Sequence, residues 1–232
     1  MSGEDFVITI DGPAGAGKST VARELAKRLG FIYLESGALY RAIALAATKA
    51  HLADDDLPAL ARLIAEAKIE ARFSPAGLKI FLDGQEVTAE LRAEEVGLKA
   101  SAISRLPEVR QRLNLLQRCL AQGQRVVVEG RDSGTIVFPE AQAKFFLTAS
   151  LGERVRRRLA QLAEAGRLAE PEQVALEMAR RDHQDQTRDL APLKPAKDAV
   201  VIETTNLSLD EVVEGIIAWI KRVAGHLPTK RP

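Results

Sequence analysis

Five short apolar runs punctuate the chain: Val7–Ile10, Phe31–Leu34, Val126–Val128, Phe145–Thr148 and Val200–Glu203. They are rich in Val, Ile and Phe and alternate little between apolar and polar positions. That pattern predicts strands of a parallel sheet covered on both faces. Helical periodicity separates most of the runs, so the predicted fold class is α/β. The first helix is expected to start within Gly17–Thr20 and to stop near Gly30, because glycine readily takes the left-handed conformation that ends a helix. A second begins after Gly37 and carries Tyr40, Ile43 and Ala47. The last starts at Ser208, where Ser208 and Glu211 have the spacing of a capping box. It runs to about Gly225 and leaves 226–232 as a frayed tail. Within it, Ile216, Trp219 and Ile220 follow core spacing.

Two stretches break this rhythm. Lys68–Phe73 and Lys79–Leu82 alternate apolar and polar residues. Pro75–Ala76–Gly77 and Asp83–Gly84 are turn signals, the latter favouring a two-residue hairpin. A small antiparallel meander is therefore expected, inserted between the second and third core strands. Residues 151–190 hold eight arginines, eight acidic residues and no lysine. They read as two helices broken near Gly166 and Pro171.

Composition narrows the function classes. At 232 residues, 46% hydrophobic and 28% charged, the chain can bury a full core, with one inserted subdomain. Lys+Arg at 33 against Asp+Glu at 32 gives a net charge of +1, which argues against a nucleic-acid partner held by bulk electrostatics. No apolar run approaches the roughly 20 residues of a membrane span. Met1–Phe6 is acidic and lacks the basic region of a secretory signal. Cys119, the single cysteine, excludes internal disulfides and multi-cysteine metal sites and is expected to be a packing residue. His51, His183 and His226 have no ligand spacing. The expectation is a cytoplasmic protein without a membrane partner, and nothing demands more than a monomer.

One motif carries chemistry outright. Gly12-Pro13-Ala14-Gly15-Ala16-Gly17-Lys18-Ser19-Thr20 fits G-x-x-x-x-G-K-[ST], after a predicted strand and opening a predicted helix. Glycines let several backbone N–H groups face one anion, and the helix N-terminus adds its positive end. Lys18 can reach the β- and γ-phosphates, and the Ser19 hydroxyl can ligate Mg²⁺. The expected ligands are a nucleoside triphosphate and Mg²⁺. No N-K-x-D base-reading motif is present, which argues against a switch GTPase.

The acceptor is read from arginines. An alcohol acceptor benefits from a carboxylate base. A phosphate monoester, with its second pKa about 6, needs cations and alignment instead, and the guanidinium fork suits it. Arg41 follows Ser36-Gly-Ala-Leu-Tyr40. Arg131 and Asp132 follow the third core strand, at the strand end where α/β proteins bind ligands. Arg181, Asp185 and Arg188 have spacing i, i+4, i+7, which shares one helix face. Each has a plainer alternative: Ser36-Gly37 as a helix N-cap, and Arg181–Asp185 as a surface ion pair. Arg154, Arg156, Arg157 and Arg158 could form a nucleic-acid patch, but neighbouring acids cancel their charge. A lid closing over phosphates is the better reading.

Together these residues resemble the bacterial cytidylate kinases from Ile8 to about Val213. The P-loop alone would fit many functions. Gly130-Arg-Asp-Ser-Gly-Thr-Ile-Val-Phe-Pro-Glu-Ala141 is more selective, supported by Glu35-Ser-Gly-Ala-Leu-Tyr-Arg41, Lys144–Ala149, Arg181–Arg188 and Ala191-Pro-Leu193. The resemblance implies a P-loop nucleoside monophosphate kinase with a five-stranded parallel sheet. It implies a core over 1–39, 124–150 and 191–225, a monophosphate-binding insertion over 40–123 and a helical lid over 151–190. The implied reaction moves the γ-phosphoryl of ATP to CMP or dCMP, with Mg²⁺. The alternatives are the same fold acting on UMP or a hydroxylated metabolite, with Asp132 as a base, and a non-catalytic nucleotide-binding module. Arg41, Arg131 and Arg188 would hold the acceptor phosphate, and Ser36 would help hold the nucleotide. Ser101, Arg110 and Asp132 would surround the cytosine, whose N4 amino group a carboxylate can accept from. Ser101 could equally be a helix-surface serine, with Ser104 taking its place. Arg181 and Asp185 would face the sugar. Arg154 and Arg158 would offset charge on closure, beside Lys18. The chain departs from the family's usual residues at Glu35, Ser133 and Glu203.

Overall fold

The computed structural model describes residues 5–74 and 77–224. Its main sheet has five strands: β1 (Phe6–Asp11), β2 (Ile32–Glu35), β6 (Arg125–Glu129), β7 (Ala143–Thr148) and β8 (Val200–Glu203). Their order is β2-β6-β1-β7-β8. β1 pairs in parallel with β6, Ile8 opposite Val127, and with β7, Ile8 opposite Ala143. β8 adds in parallel, Phe145 opposite Val200. All five apolar runs therefore became strands. Ile8, Ile10 and Val126–Val128 are fully buried, as a sheet covered on both faces requires. β8 differs: Val201 and Glu203 are exposed. It is the last strand of the sheet, and its burial alternates as in a strand with one covered face.

The chain divides into two compact units, one comprising Tyr33–Gln124, the other Phe6–Ile32 and the chain from Arg125 onward. In the second, α1 (Lys18–Leu29) ends at Gly30, which takes φ 68° and donates to the Ala26 and Lys27 carbonyls, satisfying orphan acceptors of the last turn. The closing helix α8 (Leu209–Ala224) begins with the expected capping box: Ser208 N–H donates to Glu211 at 2.8 Å, and Glu211 N–H donates to Ser208 Oγ at 3.3 Å. Arg28 ties α1 to α8 through Asp210 and Glu214. Trp219 packs edge-on against Phe145 at 5.3 Å. Two helices, α6 (Leu151–Glu164) and α7 (Pro171–Thr187), flank the predicted break.

In the first unit, α2 (Ser36–Lys49), α3 (Leu57–Glu66), α4 (Glu94–Ile103) and α5 (Pro107–Ala121) surround an apolar cluster including Leu39, Ile43, Leu60, Ile80 and Leu113. The meander forms β3 (Ile69–Ser74), β4 (Gly77–Leu82) and β5 (Gln85–Glu86), in that order. Asp83 and Gly84 take φ 51° and 86°, the positive pair that a two-residue hairpin demands.

Two readings need correction. α2 starts at Ser36 with Glu35 at its N-cap, so Ser36 lies inside the helix rather than capping it. Cys119 is exposed: Leu113, Gln117 and Ala121 form the buried face of α5, which turns Cys119 away from the core. The predicted turn residues Pro75 and Ala76, residues 1–4 with Glu4, Gly225 and the tail with His226 lie outside the described residues.

Candidate active site

β1 delivers the phosphate loop at its carboxyl end. Gly12 takes φ 146°, and a Cβ there would overlap the Leu147 carbonyl oxygen of β7, so only glycine fits beside that strand. Ala14 packs on a cluster of Val155, Leu162, Val174 and Met178 from α6 and α7. Lys18, the first residue of α1, is buried and donates through Nζ to the Pro13 carbonyl at 2.7 Å. Burial, then the neighbouring Arg131 and Arg181, pull its ammonium down to about 7, against the opposing pull of Glu129 and Asp11. Ser19 and Thr20 are exposed at the helix start.

Ser19 Oγ donates to both oxygens of Glu129, at 2.8 and 2.9 Å. Glu129 ends β6 and is buried. A hydroxyl and a carboxylate are hard oxygen donors that fit Mg²⁺, which keeps several ligands from water and phosphate. Among the described residues no group of three or more His, Cys, Asp or Glu could hold a metal ion by itself.

The Gly130-Arg131-Asp132 turn is anchored from below. Asp11, the last residue of β1, accepts from Ser133 N–H at 2.9 Å and Gly134 N–H at 2.7 Å. Those amides open a one-turn π-helix over Ser133–Val137. Burial pushes the Asp11 carboxyl up to about 6, outweighing the two amide bonds that favour its anion. A Cβ on Gly134 would come within 2.7 Å of Thr9 Oγ1, so the turn lies directly on β1.

Arg131 and Arg188 converge on one carboxylate. Arg131 Nε lies 3.0 Å from Asp185 Oδ2, and Arg188 Nη1 lies 3.7 Å from Asp185 Oδ1. Arg188 Nη2 is 3.6 Å from Asp132 Oδ1, and its Nε donates to the Ala191 carbonyl at 2.6 Å. Asp185 belongs to the last turn of α7, but Arg188 does not share its helix face as the spacing predicted. It sits at the C-cap with ψ 139°, and its proximity to Asp185 comes from the chain turning out of the helix. Arg181 is on α7 and exposed.

The arginines of α6 divide sharply. Arg154 is buried, donating to the Ala149 and Ala14 carbonyls at 3.1 Å each and pairing with Asp182 at 2.5 Å. Arg157 donates to Thr204 Oγ1 and O, at 3.1 and 2.7 Å, and to Glu153 at 2.8 Å. Arg158 is exposed.

In the other unit, Ser36 is buried at the start of α2. Arg41 lies one turn on and donates to Glu35 at 2.6 Å. Arg110 is buried on α5, donates to the Ser104 carbonyl at 3.0 Å and lies over the Tyr40 ring at 5.9 Å. Ser101, partly buried on α4, accepts through its carbonyl from Ser104 Oγ at 2.8 Å. Sequence reasoning missed Asp11, Glu129 and Asp182. Asp11 and Glu129 each directly follow an apolar run, a position at the ligand-bearing strand ends that could have flagged them. Asp182 carried no comparable signal.

A parallel sheet whose first strand ends in a nine-residue phosphate cradle, with a basic turn at the end of the adjacent strand, defines a P-loop kinase. The sequence pattern of the cytidylate kinase family matches residues 8–222. A cytidylate kinase of Pelotomaculum thermopropionicum is 48% identical over 214 residues, 92% of this chain and 95% of that protein. One of Symbiobacterium thermophilum is 46% identical over 219 residues, 94% and 97% of the two chains. The crystal structure of an uncharacterized protein from Eubacterium ventriosum shares the fold, with a TM-score of 0.50 at 12% identity over 93% of this chain and 98% of that one. The chain belongs to the cytidylate kinase family.

Proposed function

We propose that this kinase transfers the γ-phosphoryl group of ATP to the phosphate of CMP or dCMP by holding two anions in line, without a general base. The observation that carries the reading is that Arg131 and Arg188 converge on the Asp185 carboxylate, with Arg131 electrostatically close to the buried Lys18 of the phosphate loop. A phosphate monoester is largely ionised at neutral pH, so its oxygen needs no deprotonation. It needs cations against the repulsion of a second anion, and orientation. Family membership supports CMP or dCMP over a hydroxylated acceptor.

The loop amides of 12–20 and Lys18 hold the triphosphate and the transferred group. Ser19 and Glu129 are the residues that would hold Mg²⁺, which when bound neutralises charge on the β- and γ-phosphates. Arg131 and Arg188 hold the acceptor phosphate; the family's motifs add Arg41 to that role and give Ser36 a part in holding the nucleotide. Asp132 accepts from the cytosine N4 amino group, and Arg110 and Ser101 read the rest of the ring. Uracil would set an O4 acceptor against Asp132, and a buried acceptor without a donor costs about 1–3 kcal/mol. Arg181 and Asp185 face the sugar. The α6–α7 pair acts as the lid over 151–190, the insertion over 40–123 as the acceptor arm and the remainder as core. Arg154, fastened to the Ala14 carbonyl, positions the loop. Arg158 supplies charge on closure. In this reading the molecule works in the cytoplasm as a monomer. Among the described residues no helix is long and apolar enough to cross a membrane.

The test is initial-rate ADP formation with Mg-ATP and a panel of CMP, dCMP, UMP, AMP, GMP and dTMP. CMP or dCMP should lead UMP by about tenfold or more, within the range one unsatisfied buried acceptor gives. Equal CMP and UMP rates would sink the base reading by Asp132 and Arg110. No transfer to any monophosphate would sink the phosphate-acceptor mechanism.

A further inference from the structure

We propose that Asp185 is a built-in counter-anion. It occupies the acceptor-phosphate position between Arg131 and Arg188 until a phosphate dianion displaces it. The inference rests on the reading of those arginines as the phosphate-holding pair, and adds to it how their charge is balanced before phosphate binds and what the pair selects.

One carboxylate turns one oxygen toward each arginine, Oδ2 to Arg131 and Oδ1 to Arg188. All three side chains are largely withdrawn from water, at 22%, 12% and 13% exposure for Arg131, Arg188 and Asp185. Two guanidinium ions this enclosed repel each other, and an anion between them relieves the repulsion. The frame is fixed by backbone. Arg131 Nη1 donates to the Gly130 carbonyl at 3.3 Å, Arg188 Nε donates to the Ala191 carbonyl, and Leu193 N–H donates to the Asp185 carbonyl at 2.7 Å. This last bond folds the chain beyond Arg188 back onto the end of α7.

The carboxylate fits the site loosely. It makes one hydrogen bond to Arg131 and stands beyond hydrogen-bond distance from Arg188. A phosphate offers three oxygens in a geometry that matches two guanidinium forks, and up to two charges against one. A dianion therefore displaces Asp185, whereas a neutral hydroxyl or a monoanion competes poorly. Displacement also frees the Asp185 carboxylate to accept from sugar hydroxyls. A sugar role and a counter-anion role are then two states of one residue, separated by phosphate binding.

The test is titration calorimetry of inorganic phosphate into the full chain at constant ionic strength, for the wild type, Asp185→Asn and Asp189→Asn. Asp189 is exposed just beyond Arg188, so its neutralisation changes net charge equally outside the pair. Asp185→Asn should bind phosphate about fivefold or more tightly, the order expected for one unit charge at ~4 Å in a water-like dielectric. Asp189→Asn should change it less than about twofold, because an exposed charge is screened. Asp185→Ser should repeat the tightening and guards against a disturbed turn in the asparagine variant. Unchanged or weaker phosphate binding in both Asp185 variants would overturn the proposal and leave Asp185 a sugar contact alone. Equal tightening by Asp189→Asn would overturn it as a general charge effect. Wild-type ADP formation with CMP reads the kinase mechanism separately. Its absence beside the predicted phosphate result would reject CMP as acceptor and leave the counter-anion in place.

Discussion

Burial and the neighbouring Arg131 pull the Lys18 ammonium from the usual lysine range to about 7, and this has a measurable consequence. At pH 8 most Lys18 side chains in the free protein are neutral. Triphosphate oxygens favour the charged form, so ATP binding at pH 8 should take up close to one proton. At pH 6, where Lys18 is already charged, uptake by this group should nearly vanish. Titration calorimetry in two buffers of different ionisation enthalpy measures the proton count; equal uptake at both pH values would remove Lys18 as its source. The same shift has a sign for stability. Its folded-state pKa is depressed, so the unfolded chain binds the extra proton between about 7 and the ordinary 10.5. The Lys18 contribution to the stability of the free protein therefore improves as pH rises through that window.

At the scale of elements, β1 is the hub. Its last residue, Asp11, is followed directly by the phosphate loop and binds the amides that open the turn after Arg131 and Asp132. Asn at position 11 has one acceptor oxygen and leaves a buried amide facing an NH₂ group. Asp11→Asn should cost about 1–3 kcal/mol, read by urea denaturation at pH 7. It should also raise the KM for CMP more than that for ATP, because the turn carrying Arg131 and Asp132 is what loosens. An unchanged KM for CMP would make Asp11 a stability residue only. The α6–α7 pair is held to the loop in a similar way, by Arg154. Arg154→Met keeps the stem but leaves Asp182 without this partner and the Ala14 carbonyl without its donor. Breaking a buried pair costs about 3–5 kcal/mol, so thermal unfolding should show a large drop in Tm and weaker ATP binding. A small drop would mean that the apolar cluster of Val155, Leu162, Val174 and Met178 alone secures the hairpin.

Across the whole molecule, legibility followed sequence distance. The strands, the Gly30 helix stop, the Asp83–Gly84 hairpin and the Ser208–Glu211 capping box were readable because each is decided by residues close together in the chain. The phosphate loop was readable for the same reason. Ser19–Glu129 spans 110 residues, Asp11–Gly134 spans 123 and Arg131–Asp185 spans 54, and no periodicity links such pairs. Cys119 is exposed against the packing role its sequence context suggests, because which face of α5 turns inward depends on what packs against it.

Local pattern alone therefore determined the parallel sheet, the inserted meander and a cradle for a triphosphate, since backbone conformation and hydrophobic periodicity are short-range properties. The family's motifs added the acceptor arginines as candidates. Tertiary structure decided what those charged groups do. Only folding buries Lys18 beside Arg131, sets Asp11 under the Ser133 and Gly134 amides, and brings Asp185 between Arg131 and Arg188. The strength of a charge depends on its burial and its neighbours, and the chain order specifies neither.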